Sequence, residues 1–189
     1  MALRHAVLAA LLDGEYSGYQ LAKAFDVGVA NFWHAASQQL YAELAKLESE
    51  GLVTGRQEVQ KTRPDKRLFR VTDAGLAELE RFGAAASKPS FIRDELLVKV
   101  HAADSIDGGS LIEQLQERAA VAEAKTEFLG GLLRQLRGEV DEAEFLRRGE
   151  RIGPYLTCLR GLSFERDHRD WCVRIAAVLR ERQGIHAGR

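Results

Sequence analysis

The 189-residue chain lacks the features of a membrane or exported protein. It has no run of about 18 consecutive apolar residues, the length that a membrane-spanning helix needs, so we expect no membrane span. The stretch from Met1 to Leu8 has no basic region leading into a long apolar segment and a cleavage site. It predicts a folded helix rather than a signal peptide. A cytoplasmic protein is therefore expected.

Cysteine is scarce, since Cys158 and Cys172 are the only two. Neither has metal-site spacing, and His168 four residues before Cys172 supplies only a second ligand. Two buried, reduced thiols are the expectation. No Ser-His-Asp order, glycine-rich phosphate loop or pair of carboxylates stands out. We therefore predict no metal site, no cofactor and no enzymatic activity.

An excess of positive charge is also lacking over the whole chain, whose formal net charge is −1. A nucleic-acid-binding protein with this balance must concentrate its positive charge locally. Between Arg56 and Arg70 there are six basic and two acidic residues, a local net charge of +4. Counterion release from phosphates needs such a patch, although a charged run is more often a solvated face.

The first half of the chain has helical patterns in the order of a helix-turn-helix. The predicted helices cover residues 3–12, 18–26 and 37–50. Ser17 and Gln20 form the sequence pattern of a capping box at the start of the second helix. Leucines at i, i+4 and i+7 give the third helix a buried stripe, and Gly51 is expected to end it.

A basic hairpin follows the third helix. Strands are predicted over 52–59 and 67–71, and Pro64-Asp65 supplies turn chemistry at the tip. Thr72 is expected to cap a fourth helix over 73–86. A helix, a two-stranded wing and a capped helix in this order predict a winged helix-turn-helix, for which the partner is duplex DNA.

The second half has helical patterns only, so the expected fold class is mainly α with a small β-wing. Lys88-Pro89-Ser90 predicts a boundary between a DNA-binding domain at 1–87 and an α-helical dimerisation domain at 88–189. Helices are expected over 91–103, 111–136 and 141–183, with a loop at Asp107-Gly108-Gly109-Ser110. Pro154 and Gly161 should kink or break the last helix.

The helix over 111–136 has an apolar stripe that no neighbouring element obviously covers. Packing against a symmetry mate would bury it, and packing within the chain is the alternative. Because helix-turn-helix proteins usually bind two half-sites as dimers, the stripe favours a homodimer. The stripe consists of Leu115, Ala119, Ala122, Leu129, Leu132 and Leu136.

Ten residues are candidate DNA contacts. The first turns of a recognition helix face the base edges of the major groove, where glutamine can bond adenine through two hydrogen bonds. Adjacent glutamines point in different directions, so only one is expected to contact a base. Residues near the start of the second helix and on the hairpin are expected to contact phosphates. The candidates are Tyr19, Lys23, Ser37, Gln38, Gln39, Tyr41, Lys61, Arg63, Lys66 and Arg67.

At these positions the chain resembles the PadR family of winged-helix transcriptional regulators. The similar segments are Gly18-Tyr19, Trp33 through Leu44, Leu47 with Glu50-Gly51-Leu52-Val53, and Pro64-Asp65-Lys66-Arg67 to Thr72-Asp73-Ala74-Gly75. The second half is similar to the α-helical C-terminal domain of the branch related to virulence-gene activators. That similarity lies in Phe91-Ile92-Arg93-Asp94-Glu95-Leu96, Lys99, Arg160-Gly161-Leu162 and Trp171.

The resemblance implies a homodimer joined through the C-terminal helices. It also implies regulation of transcription, commonly repression, at an inverted-repeat operator. Some relatives release DNA when they bind small aromatic molecules, and Trp33, Trp171 and Phe164 are candidate effector-site residues here, although large aromatic residues are more often core. The rival interpretations are a protein-interaction module built on a winged helix and a sensor that sequesters a ligand.

Two positions depart from the family pattern. Many members begin the recognition helix with serine-proline-glycine, where this chain has Ala36-Ser37-Gln38, so the cap is expected to shift by one residue. Family wings often have a tyrosine before the closing threonine, and here Phe69 stands in that region. Neither change removes the expected DNA surface.

Overall fold

A computed structural model describes residues 2–29, 32–33, 35–59, 65–87, 89 and 91–187. The chain divides into two compact units, unit 1 at Met1–Pro89 and unit 2 at Ser90–Arg189. Unit 1 combines helices with a small antiparallel sheet, and unit 2 is helical where it is described. The expected fold class, mainly α with a small β-wing, is confirmed.

Unit 1 follows the predicted order of helices and strands. Its helices are α1 (Ala2–Ala10, extended by a 3₁₀ turn at Leu11–Asp13), α2 (Gly18–Gly28), α3 (Ser37–Ser49) and α4 (Asp73–Ala84). Its strands are β1 (Tyr16–Ser17), β2 (Val53–Glu58) and β3 (Lys66–Val71). Leucines, valines and Phe25 from α1, α2, α3 and β2 form the core, and Phe25 is completely buried.

The sheet of unit 1 has three strands in the order β1-β3-β2, so the prediction of a two-stranded wing was incomplete. Strand β1 pairs with β3 through Tyr16 opposite Phe69 and Ser17 opposite Leu68. Two residues are too few to show the alternation of apolar and polar positions from which a strand is predicted. This short strand attaches the base of the wing to the segment before α2.

The predicted ends of the unit 1 helices rest on local chemistry, and the structure confirms them. The Ser17 hydroxyl accepts from the Gln20 amide, and the Gln20 side chain accepts from the Ser17 amide. Gly51 follows α3 with a φ of 72°, which favours glycine. The Thr72 hydroxyl accepts from the Gly75 amide and donates to the Gly51 carbonyl, so it connects the start of α4 to the end of α3.

Unit 2 contains α5 (Glu95–His101), α6 (Gly108–Arg137), α7 (Glu142–Arg148) and α8 (Gly153–Ala187). The helix predicted over 91–103 was too long at its start, because Asp94 accepts from the Leu96 amide and caps α5 there. Ile92, which falls inside the predicted range, lies before the helix and is exposed. Asp107 caps α6, so Gly108, Gly109 and Ser110 belong to the helix rather than to the predicted loop.

The predicted helix over 141–183 is interrupted between Arg148 and Gly153. Pro154 lies in the first turn of α8, where a missing amide proton costs nothing, so the break precedes it. At Gly161 the prediction of a break was wrong: α8 continues through this residue, which is buried.

The apolar stripe of α6 is covered within the chain, by α8. Leu115 and Ala119 pack in one cluster with Cys172 and Ala176, and Leu129 packs in another with Tyr155. The alternative of packing within the chain therefore holds for these positions, because α8 follows α6, while Leu136 at the end of the stripe is 38 % exposed. The stripe of α6 therefore gives no evidence for a dimer.

Both cysteines are buried, unpaired thiols, as expected. Burial raises the pKa of Cys158 and of Cys172. Among the helices that the structure describes, none has the length and apolar character required to cross a membrane.

Candidate nucleic-acid interface

The first turn of α3 assigns different roles to its two glutamines. The cap position is Ala36, the residue that stands where many members have serine, so the expected shift of the cap by one residue is wrong, and the Ala36 side chain accepts no hydrogen bond. The Gln39 side-chain oxygen accepts from the Ala36 amide at 3.0 Å and replaces a capping side chain. Gln39 therefore holds the start of the helix, whereas the side-chain oxygen and NH2 group of Gln38 make no hydrogen bond with the residues that the structure describes.

Gln38 lies on the side of α3 that faces away from the core. Leu40, Leu44 and Leu47 are buried and define the opposite side. On the exposed side, one and two turns after Gln38, are Ala42 and Ala45, with small side chains. Small neighbours allow another surface to approach closely around a long polar side chain. This geometry fits insertion of the start of the helix into a groove, with Gln38 in the first turn.

Tyr41 lies at the junction of α2 and α3. Its ring covers Gly18 so closely that a Cβ atom at residue 18 would stand 2.2 Å from Tyr41 Cε1. The ring is 47 % exposed, so one face supports α2 while the other meets solvent. Tyr19 and Lys23 on α2 and Ser37 on α3 are also exposed. The structure thus leaves all the candidates on these two helices accessible.

For the wing, the surroundings of the candidate phosphate contacts differ more from what the sequence suggested. Lys61 and Arg63 lie outside the described residues. Lys66 Nζ is 3.0 Å from Glu58 Oε1, within the hairpin. Arg67 Nη2 is 2.7 Å from Glu48 Oε1, a carboxylate of α3. Two predicted phosphate contacts are therefore each paired with a carboxylate of the same chain.

A third basic residue of the wing, Arg56, is paired with Glu15, its Nε donating to Glu15 Oε2 at 2.8 Å. The local net charge of +4 did not include Glu15 or Glu48, because both lie outside residues 56–70 in the sequence. Adding them lowers the net charge of the wing and its base to +2. The attraction to phosphate is correspondingly smaller, and it depends more on Arg70 and on the residues of the tip.

The Glu15–Arg56 pair should make unit 1 sensitive to acid. The hydrogen bond from Arg56 lowers the pKa of Glu15 below its ordinary value of 4.5. Because the pKa of Glu15 is lowered in the folded state, the pair stabilises the fold fully above the ordinary pKa of 4.5. This contribution disappears as the pH falls through the folded-state pKa. Arg56→Gln is therefore expected to lower the melting temperature slightly at pH 7 and not at pH 2. An equal loss at both pH values would contradict this assignment.

The three candidate effector residues do not share a unit, since Trp33 belongs to unit 1, and Phe164 and Trp171 belong to unit 2. Trp33, in unit 1, is 38 % exposed. Trp171, in unit 2, packs partly against the cluster around Leu115 and Cys172, and its ring stacks on His168 with 6.0 Å between centroids. His168 Nε2 is 3.9 Å from Cys172 Sγ. Within the described parts of the chain, no three His, Cys, Asp or Glu side chains gather as metal ligands.

Comparison with known proteins identifies the family. Residues 7–81 match the model of the transcriptional regulator PadR-like family, and residues 92–180 match that of the virulence activator alpha C-terminal domain. The chain belongs to the PadR family of transcriptional regulators. The two matches cover the two units and confirm the resemblance seen in the sequence. A PadR-family protein is a transcriptional regulator and not an enzyme.

Curated relatives and solved structures agree with this assignment. The negative transcriptional regulator PadR of Bacillus subtilis is 28 % identical over 178 residues, which are 94 % of this chain and 97 % of the relative. A probable transcriptional regulator of Mycobacterium tuberculosis is 29 % identical over 193 residues, which cover 97 % of this chain and all of that protein.

The crystal structure of B. subtilis PadR in complex with operator DNA superposes with a TM-score of 0.78 at 27 % identity. The superposition covers 95 % of this chain and 99 % of the B. subtilis chain. The structure of the same protein in complex with p-coumaric acid gives a TM-score of 0.71, also at 27 % identity, with the same coverage.

Proposed function

We propose that this PadR-family regulator is a homodimeric, cytoplasmic repressor that binds an inverted-repeat operator and is released by a small aromatic effector. The observation that supports it most directly is the surface of α3. A glutamine that makes no side-chain hydrogen bond with the described residues stands in the first turn of its exposed side, followed by small residues and next to a winged sheet. Glutamine in this position suits a base edge of the major groove.

Operator binding by the B. subtilis relative supports the choice of DNA as the partner. In our proposal Gln38 contacts a base, while Ser37 and Tyr41 contact the groove walls. Tyr19, Lys23 and the wing-tip residues Lys61 and Arg63 contact phosphates. Gln39 acts through the helix start. Lys66 contributes less than its charge suggests, because Glu58 already neutralises it, and Arg67, paired with Glu48, is no longer proposed as a phosphate contact.

A homodimer is proposed on two grounds. Winged helix-turn-helix proteins commonly bind two half-sites, and one wing with a local charge of only +2 gives weak attraction that a second copy doubles. Unit 2, which matches the virulence activator alpha C-terminal model, is the proposed site of pairing. The covered stripe of α6 is not part of this argument.

The aromatic effector is proposed from the p-coumaric acid complex of the B. subtilis relative. Trp33 and Trp171 remain the proposed effector residues. The family assignment does not favour the rival functions, a protein-interaction module or a sensor that only sequesters a ligand.

A salt titration tests the proposed function. Fluorescence anisotropy would measure binding of the full chain to the DNA upstream of its own gene and to a random duplex of equal length. We expect tighter binding to the upstream DNA, an affinity that falls steeply with salt for both duplexes, and release on addition of p-coumaric acid. Equal affinity for the two duplexes, or an affinity independent of salt, would contradict specific DNA binding.

A further inference from the structure

One carboxylate of unit 1 joins the recognition helix to both strands of the wing. Glu48 lies near the end of α3, and its Oε1 atom accepts from the Gly55 amide of β2 at 3.0 Å. The same oxygen accepts from Arg67 Nη2 of β3 at 2.7 Å. The Glu48 side chain is only 25 % exposed, so solvent screens these bonds less than it would on an open surface.

The residues next to the Glu48–Arg67 pair accommodate this contact. A Cβ atom at residue 55 would lie 2.6 Å from Glu48 Oε1 and 2.5 Å from Arg67 Nε, so glycine lets the two side chains meet over the strand. The Arg67 guanidinium also lies 5.7 Å from the centre of the Phe69 ring, within the range of a cation–π contact. Arg67 is therefore held at the base of the wing from several sides.

The pair borders the surface proposed to meet DNA. Glu48 and Arg67 line a shallow cavity of about 320 Å³ together with Tyr41 and Ala45, two exposed residues of α3. A negative charge here faces the same side as Tyr41. Near a phosphate backbone such a charge lowers affinity, so its presence requires a reason other than attraction to DNA.

We propose that Glu48 is a positioning residue that determines specificity, an inference that rests on the proposed DNA-binding function. It neutralises Arg67 and fixes the wing to α3, so that Arg67 adds no contact to phosphate. Phosphate contacts contribute affinity for every sequence alike, whereas base contacts discriminate between sequences. Because Arg67 makes no contact with the DNA phosphates, a larger share of the binding free energy depends on Gln38.

Glu48→Gln tests the proposal in the full chain, because glutamine keeps an oxygen for the Gly55 amide and removes the charge that holds Arg67. Binding to a random duplex should tighten about fivefold at 100 mM salt, and the slope of log affinity against log salt should steepen by about 0.9, the value for one new phosphate contact. The ratio of affinities for the upstream and the random duplex should fall.

Glu43→Gln is the matched control. It removes an equal charge from the same helix, about 140° around the axis from Glu48 at 3.6 residues per turn. It should change both affinities by the same small factor and leave the salt slope unchanged. If Glu48→Gln behaves as Glu43→Gln does, the proposal is wrong.

Arg67→Gln gives a second, independent test. Alone it should leave the salt slope unchanged and lower the affinity for random duplex only slightly, through the unpaired Glu48 charge, and combined with Glu48→Gln it should abolish the gain. A loss of one phosphate contact in the single Arg67→Gln variant would overturn the proposal, even if Glu48→Gln failed to fold. Wild-type protein that binds no duplex would instead overturn the proposed function.

Discussion

Replacement of Gln38 by alanine is expected to weaken operator binding about five- to 150-fold, which corresponds to about 1–3 kcal/mol for a bidentate base contact. The affinity for a random duplex should stay as it is, because Gln38 is not expected to contact phosphate. The reason is structural. Gln38 stands in the first turn of the exposed side of α3, and the side chain that bonds the backbone at the start of that helix is Gln39. Anisotropy titrations with both duplexes would measure the two affinities.

Gln39→Ala is the matched control for this result. Its side-chain oxygen accepts from the Ala36 amide, so its loss should lower the stability of unit 1 by about 0.5–1 kcal/mol through the helix start. Discrimination between operator and random DNA should remain close to the wild-type value. If Gln39→Ala abolishes discrimination and Gln38→Ala does not, the assignment of the two glutamines is reversed.

Phe25→Ala is expected to have the largest effect on stability. Phe25 is completely buried in the core of unit 1, where α2 packs against α1 and α3. Truncation of a buried phenylalanine costs about 3–5 kcal/mol, a large part of the roughly 5–15 kcal/mol that stabilises a domain. Thermal and urea denaturation, followed by circular dichroism, should show unit 1 unfolding much earlier than in the wild type.

Phe32→Ala is the control for Phe25→Ala. Phe32 belongs to the same unit but is 55 % exposed, so its removal should change the free energy of unfolding by less than about 1 kcal/mol. An equal destabilisation by both variants would show that the core of unit 1 is not arranged as described.

The features that could be predicted from the sequence are those determined by neighbouring residues. The Ser17–Gln20 capping box and the threonine cap of α4 depend on side chains three residues from the amides that they satisfy, and Gly51 ends α3 through its own positive φ. The buried leucines of α3 follow helical periodicity. The positions of the DNA-facing helices and of the wing follow from these signals.

The features that could not be predicted depend on residues far apart in the sequence. Strand β1 is too short to have a pattern, and its pairing with β3 becomes visible only in three dimensions. Glu15 and Glu48 reduce the charge of the wing from positions 41 and 19 residues away from their partners. The covering of α6 by α8 is also long-range, so the sequence could not distinguish it from a dimer contact.

The most direct test of the central claim is a footprint combined with the mass of the complex. The full chain would be bound to the DNA upstream of its own gene, cleavage protection mapped, and the mass of the protein–DNA complex determined. We expect two protected half-sites in inverted repeat, their centres one helical turn or a multiple of it apart, and two protein chains per duplex. A single protected site with one chain bound, or no protection at all, would contradict the claim of a dimeric operator-binding regulator.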